Sequence, residues 1–323
     1  MDVQVAVGVP VEAASQDAPD AQAVVPELDD PMSTHKATKD ELLGLFAIEP
    51  LDPTKFAKVR PDIFLAHNLG PDVASRMNQG NKAIAHHAIG KRACEAALVA
   101  IAIQTDEQKT ACKGKENMLP IYKGGDIKTA HYCVDAFEFP NKPCELPFVW
   151  SAPTFAQTMC QLQGKRLCTQ EEWSLACRGD PSGGADRVYA YGDDLDLAVC
   201  DTDKSPPDRR LCDARTLQSA WSTCGTHTEP AGAFPKCRSR FGVFDQHGNV
   251  AEVMTRQEKD GKIVSQLKGS AFFYREVAQK PGEWGDVRKY PDHCNHDPRW
   301  HVEPIESAWH VNYHLGFRCC MSL

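Results

Sequence analysis

Apolar residues recur at helical spacing in only a few stretches of this chain, and most of those stretches open on a recognisable cap. Thr38 and Glu41 form a capping-box pair ahead of Leu42, Leu43, Leu45 and Phe46. A second helix is expected over Lys91 to Ile103, and Thr105 with Gln108 would cap a third that ends near Gly114. Ser151 is placed to cap a helix running to about Gln163, with Phe155, Met159 and Leu162 on one face and Gly164 as its stop. Thr169 and Glu172 make a capping box for the next, whose Trp173, Ala176 and Cys177 face inward before Gly179 ends it. Elsewhere beyond residue 111, Gly, Pro, Trp and Cys punctuate short segments, which read as short strands joined by long loops. Loops that long need pinning, the job that disulfides and bound ions do.

These patterns divide the chain into three parts. Residues 1–32 hold seven acids and no Lys or Arg, and cannot bury enough apolar surface to offset their chain entropy. They read as a disordered acidic tether, either a spacer behind an anchor or a frayed terminus without a role. Residues 33–110 read as a mostly helical region, and residues 111–323 as a loop-rich α+β domain. The longest uninterrupted apolar run, Ala96 to Ile103, is eight residues. A membrane helix needs about twenty, so no transmembrane segment is expected.

Composition sharpens this reading at one point. The net charge of −8 and pI near 5.8 argue against nucleic acid or an anionic membrane as partner. The fourteen cysteines carry more information. Their even, high number points to disulfides and an oxidising compartment, and no two lie three apart, so the usual zinc half-site is missing. Cys94 and Cys112 flank one turn and are placed to staple it. Residues 1–20 show no basic segment, apolar segment or small-residue cleavage site. An exported protein would then begin after processing, have a misplaced start, or leave by an unconventional route. His86 and His87 read as surface or packing residues rather than ligands.

The run Tyr132-Cys-Val-Asp-Ala-Phe-Glu-Phe-Pro-Asn141 is followed by Gly164-Lys-Arg-Leu-Cys-Thr-Gln-Glu-Glu-Trp173 and Ala176-Cys-Arg-Gly179. Next come Tyr189-Ala-Tyr-Gly192, Gly242-Val-Phe-Asp-Gln-His-Gly-Asn-Val-Ala-Glu252, Lys268-Gly-Ser270 and Gly316-Phe-Arg-Cys319. In that order and spacing, over residues 110–323, the chain resembles the formylglycine-generating enzymes, or sulfatase-modifying factors. The resemblance implies a compact, loop-rich α+β fold related to C-type lectins and steadied by calcium and disulfides. It implies that Cys160 pairs with Cys319, and makes Cys294 the candidate partner of Cys177. For calcium it implies a side-chain oxygen of Asp245, the carbonyls of Gly248 and Val250, and the carboxylate of Glu252, hard oxygens from one tight turn. A second calcium site would use Asp201 and the Thr202 carbonyl.

The chain departs from that family where the chemistry is done. Its enzymatic members oxidise a substrate cysteine with oxygen, using two copper-binding cysteines just after a Gly-Gly-Ser segment. Thiolate pairs bind Cu(I) well. Here residues 268–277 contain no cysteine, and Ala251 and Val253 replace two family tryptophans. Formylglycine generation is not expected. The remaining Cys133, Cys144, Cys168, Cys200, Cys212, Cys224, Cys237 and Cys320 are an even eight and read as further disulfides.

Two other features bear on function. His293, His296 and His301, with His310 and His314 beyond, offer imidazoles for a transition metal, or form a polar surface loop. Trp284, Tyr290, Trp300, Trp309 and Tyr313, interleaved with Arg299, suit a ligand surface for a protein, peptide or glycan, or merely cover the core. The first functional reading is an exported, calcium-stabilised, disulfide-bonded binding or structural module. It would be secreted, periplasmic or tethered to an envelope of bacterial type. The alternative is a divergent oxidoreductase using other ligands for Cu or Fe, for which the sequence offers less.

Overall fold

The structure is a computed structural model. It describes residues 44–46, 76–79, 84–205, 223, 225–275, 292–298 and 301–323. The tether of residues 1–32 and the Thr38–Glu41 capping box lie outside those residues. Of the helix they would open, Phe46 is fully buried, with its ring 5.1 Å from that of Phe139.

Local sequence signals set most helix starts. The first helix, α1, spans Lys91–Leu98 and the second, α2, spans Asp106–Ala111. The Thr105–Gln108 capping box of α2 is formed in both directions. Helix α1 stops five residues short of Ile103, and β-branched Val99, Ile101 and Ile103 alternate with alanine after it. Val99 is left 86% exposed, while Ile101 and Ile103 turn back onto the core. Helix α3 runs Pro153–Leu162, and its N-cap is Ala152 rather than Ser151. Pro153 starts that helix without a side-chain cap, since its fixed φ and missing N–H suit the first helical position. Ser151 instead donates its backbone N–H to Leu315 O, in the core. Helix α4, Gln170–Arg178, has the expected Thr169–Glu172 box.

The strands are short and form two small sheets, so the whole is a mixed α and β structure with few helices. Strands β1 (Met118–Ile121), β2 (Tyr132–Asp135), β3 (Arg166–Leu167) and β7 (Cys319–Ser322) make an antiparallel sheet in the order β1-β2-β7-β3. Strands β4 (Ala251–Gln257), β5 (Ile263–Lys268) and β6 (Leu315–Phe317) make the other, in the order β5-β4-β6. There β4 pairs antiparallel with β5 and parallel with β6. Only Arg318 separates β6 from β7, so the chain steps from one sheet to the other across a single residue. No helix among the described residues is long and apolar enough to cross a membrane.

Disulfides tie the loops and helices to this frame. Cys160 of α3 bonds Cys319, and Cys168, just after β3, bonds Cys320. Successive residues of a strand point to opposite faces, which lets adjacent cysteines of β7 take different partners. Cys177 bonds Cys294, and Cys200 bonds Cys237. Cys94 and Cys112 do not staple each other. Cys94 bonds Cys144 and Cys112 bonds Cys133, so α1 and the end of α2 are each fastened to the body of the domain instead. Cys212 and Cys224 lie outside the described residues.

The segment before α1 is held by hydrogen bonds rather than sulfur. His87 Nδ1 meets Thr228 O at 2.6 Å, and Glu229 accepts from the N–H groups of Ala88 and Ile89. Burial lowers the His87 pKa to about 4, so the ring is neutral in the native state and its Nδ1 carries the proton. The unfolded chain takes up a proton near pH 6.5, and the stability His87 provides is lost as pH falls from there toward 4. Wild type should therefore lose stability against His87→Gln on acidification through that window, by at most about 1.4 kcal/mol per pH unit. Denaturant titrations at pH 7 and pH 4.5 test this, and an unchanged difference between the two proteins refutes it.

Candidate functional site

Arg318 stands at the step between the two sheets with no exposure to solvent. Its guanidinium grips both oxygens of Glu252, at 2.6 and 2.5 Å, as β4 delivers that carboxylate into the interior. It also donates to the carbonyls of Asp135 (3.1 Å) and Phe244 (2.8 Å). Trp173 of α4 adds an indole N–H to Glu252 Oε2 at 3.0 Å. Glu252, one of the expected calcium ligands, is thus already well supplied with donors.

Two further carboxylates lie beside this pair. Asp245, in a left-handed turn at φ 55°, accepts from Gly232 N at 2.6 Å. Glu138 accepts from Asn249 Nδ2 at 2.6 Å and from Val250 N at 3.2 Å. Burial, and after it the charges of Asp245 and Glu252, hold the Glu138 carboxyl well above the usual range. Burial raises Asp245 to about 7. Three buried carboxyl groups face one guanidinium, and full ionisation of all three would leave an excess of two negative charges, which burial and mutual repulsion oppose. Glu138 was not singled out from the sequence, although it lies inside the Tyr132–Asn141 motif.

The segments expected to form two separate calcium sites are neighbours. Asn249 N donates to Asp201 O at 2.8 Å, and a Cβ on Gly248 would come within 2.1 Å of that oxygen. Only glycine fits there, at φ 73°. The Thr202 carbonyl accepts from Arg275 N at 2.8 Å. Lys204 places its ammonium 3.4 Å from Asp201 Oδ2 and also reaches Glu229 and the His227 carbonyl. Burial nonetheless raises Asp201 to about 7.

The stretch after β5 is closed rather than reactive. Ser270, Phe272 and Tyr274 are buried. Phe272 packs its ring at 5.2 Å from Phe273 and 6.2 Å from Tyr313. At the end of β5, burial lowers Lys268 to about 8, and its ammonium is held by the carbonyls of Cys294 (3.0 Å) and His296 (2.6 Å) over the Trp173 ring. Among the described residues no cysteine is free.

The remaining candidates separate. His293 packs against His296 at 5.8 Å, whereas His301 stacks on His310 at 3.8 Å, so the three expected metal ligands do not converge. Burial lowers the pKa of all four. Tyr313, expected on a ligand surface, is a core residue 6.2 Å from the Trp150 ring, because its neighbours Leu315 and Phe317 carry the chain into β6. Trp309 is 74% exposed. Trp284, Tyr290, Arg299 and Trp300 lie outside the described residues. The described histidine that joins two other metal-binding side chains is His247, beside the Cys177–Cys294 disulfide. It stands in the Gly242–Glu252 motif, but its neighbours are brought to it from 70 and 47 residues away, a distance no local spacing reveals.

The model of the "sulfatase-modifying factor enzyme 1-like domain" family matches residues 119–323. Among curated proteins, the "inactive C-alpha-formylglycine-generating enzyme 2" of Mus musculus is 27% identical over 180 residues, which is 55% of this chain and 50% of that protein. Its Bos taurus counterpart is 28% identical over 181 residues, 54% of this chain and 50% of that protein. The chain therefore spans about half the length of the curated relatives it matches. A solved structure described as CarF is 16% identical over 55% of this chain and 68% of its own, with a TM-score of 0.35, too loose a superposition to carry an argument.

Removing one partner of a buried ion pair leaves the other charge uncompensated. Arg318→Met should cost about 3–5 kcal/mol in denaturant unfolding, with Glu252 stranded beside two more carboxylates. A loss under about 1 kcal/mol would mean that the guanidinium does not hold the centre together.

Proposed function

The chain belongs to the sulfatase-modifying factor enzyme 1-like family over residues 119–323, and from that premise we propose that it is a non-catalytic member, a binding or structural module working outside the cytoplasm. One observation carries this reading. The described cysteines are all committed to disulfides, and the stretch that would need a thiol pair for copper holds Ser270, Phe272 and Tyr274 in the core instead. The two curated relatives are themselves named inactive, which supports the same reading. Disulfides in this number belong in an oxidising compartment.

In this proposal the domain of residues 111–323 has a C-type-lectin-like form and presents a surface to a protein, peptide or glycan, with exposed Trp309 as part of it. Residues 33–110 serve as an N-terminal region whose described parts pack onto that domain, and residues 1–32 act as a tether. Calcium is the structural cofactor. With all three carboxyl groups ionised, the Glu138–Asp245–Glu252–Arg318 cluster would carry an excess of two negative charges, which matches one divalent cation, and hard carboxylate and carbonyl oxygens suit Ca2+. Asp245, Glu252 and the carbonyls of Gly248 and Val250 would hold it, with Glu138 as a further carboxylate.

Millimolar calcium should raise the melting temperature relative to EGTA. An ion at one hundred times its Kd contributes about 2.7 kcal/mol. Asp245→Asn should remain folded and lose most of that increment. Equal melting temperatures in calcium and EGTA for wild type would remove calcium from the proposal. The catalytic question has its own test. A peptide containing Cys-x-Pro-x-Arg, incubated with the protein, oxygen and copper, should show no formylglycine by mass spectrometry. Any enzyme-dependent turnover would end the non-catalytic reading.

A further inference from the structure

Three parts of the chain meet around one buried imidazole. Helix α4 delivers Cys177, the turn before β4 delivers His247, and residues 292–298 deliver Cys294. All three side chains are buried. His247 Nε2 lies 3.5 Å from Cys177 Sγ and 3.9 Å from Cys294 Sγ, and the three atoms all stand within 4.8 Å of one another.

The imidazole has a hydrogen-bond donor on one nitrogen and a carboxylate near the other. Ala190 N–H donates to Nε2 at 3.0 Å, which makes Nε2 the lone-pair nitrogen and leaves the proton on Nδ1. Nδ1 faces Asp292 Oδ2 at 3.4 Å, and Asp292 is fixed in turn by Ser270 Oγ at 2.6 Å. The rings of Tyr189 and Tyr191 pack against the imidazole at 5.6 and 5.4 Å. A disulfide that only ties two segments needs none of these groups. An imidazole whose unprotonated nitrogen lies beside two sulfurs, with a carboxylate near its other nitrogen, offers the donor set of a metal ligand and its orienting partner.

We propose that reduction of the Cys177–Cys294 disulfide turns this cluster into a zinc site, with Cys177 Sγ, Cys294 Sγ and His247 Nε2 as ligands and Asp292 as the positioning carboxylate. A dithiol reductant supplies two electrons and two protons to the S–S bond and leaves as its own disulfide. Zn2+ then displaces the two thiol protons to solvent, and the ion with two thiolates is neutral, which suits a buried place. The sulfurs must part to roughly 3.8 Å to accept two Zn–S bonds of about 2.3 Å at a tetrahedral angle. Zinc takes the Nε2 lone pair from the Ala190 N–H, which is left beside two thiolate acceptors. Three protein ligands leave a fourth position. Tyr191, in contact with His247, also lines an open cavity of about 860 Å3.

The test reduces metal-free protein in steps with a phosphine, adds Zn2+, and reads each cysteine by alkylation and peptide mass spectrometry. Zinc should protect Cys177 and Cys294 together, at one equivalent, while the other reduced cysteines alkylate as before. His247→Gln should abolish that protection. Asp292→Asn keeps all three ligands and should weaken zinc affinity about 10–100-fold, whereas a merely structural role for Asp292 would leave the affinity unchanged. The proposal is overturned by failure to protect the pair, by equal protection in His247→Gln, or by unfolding before the pair is reduced whether or not zinc is present.

Discussion

Everything in this domain is arranged around one buried guanidinium. Arg318 is the only residue between β6 and β7, and its donors reach the carbonyls of Asp135 and Phe244 as well as the carboxylate of Glu252. Asp135 ends β2 in one sheet, and Glu252 is the second residue of β4 in the other. The two sheets therefore share a single charge as their common hydrogen-bond donor. That charge is affordable inside only because carboxylates surround it, and the carboxylates outnumber it. The domain gathers more carboxyl groups than cationic groups at this centre, which is what the calcium proposal rests on.

Sulfur handles what the guanidinium cannot reach. Short strands bury little area each, so the helices and loops around them are fastened by covalent links, two of them on adjacent residues of β7. Every described cysteine is spent on a cross-link. The frame of the family is kept, and the stretch after β5 has become packing, with Phe272 and Tyr274 in the core. Function follows the site and not the frame.

How much of this was legible beforehand depended on the range of the interaction. The Thr105 and Thr169 capping boxes were readable because both partners lie within one turn. Ser151 looked like a cap by its chemistry, but Pro153 needs none and the serine was drawn into the core. Cys94 and Cys112 looked like partners because they are close in sequence, yet each has a partner across the domain. Tyr313 by its type suits either a ligand surface or a cover over the core, and its place just before β6 buries it. The ordered motifs marked out the region of Asp245, Gly248 and Glu252. They said nothing of the partnership between Arg318 and Glu252, 66 residues apart, or of His247 beside two sulfurs. Those contacts exist only once both sheets have formed.

The place of β7 has a consequence for how the protein is made. It is an interior strand of its sheet, with β2 on one side and β3 on the other, yet it is translated long after both. Cys160 leaves the ribosome 159 residues ahead of Cys319. At ordinary elongation speeds that is roughly eight to thirty seconds. Throughout that interval the thiols of Cys160 and Cys168 have no proper mate, and β2 and β3 present open edges. The cell's task with this chain is one of timing, to hold early cysteines unspent until the strand that claims them has arrived.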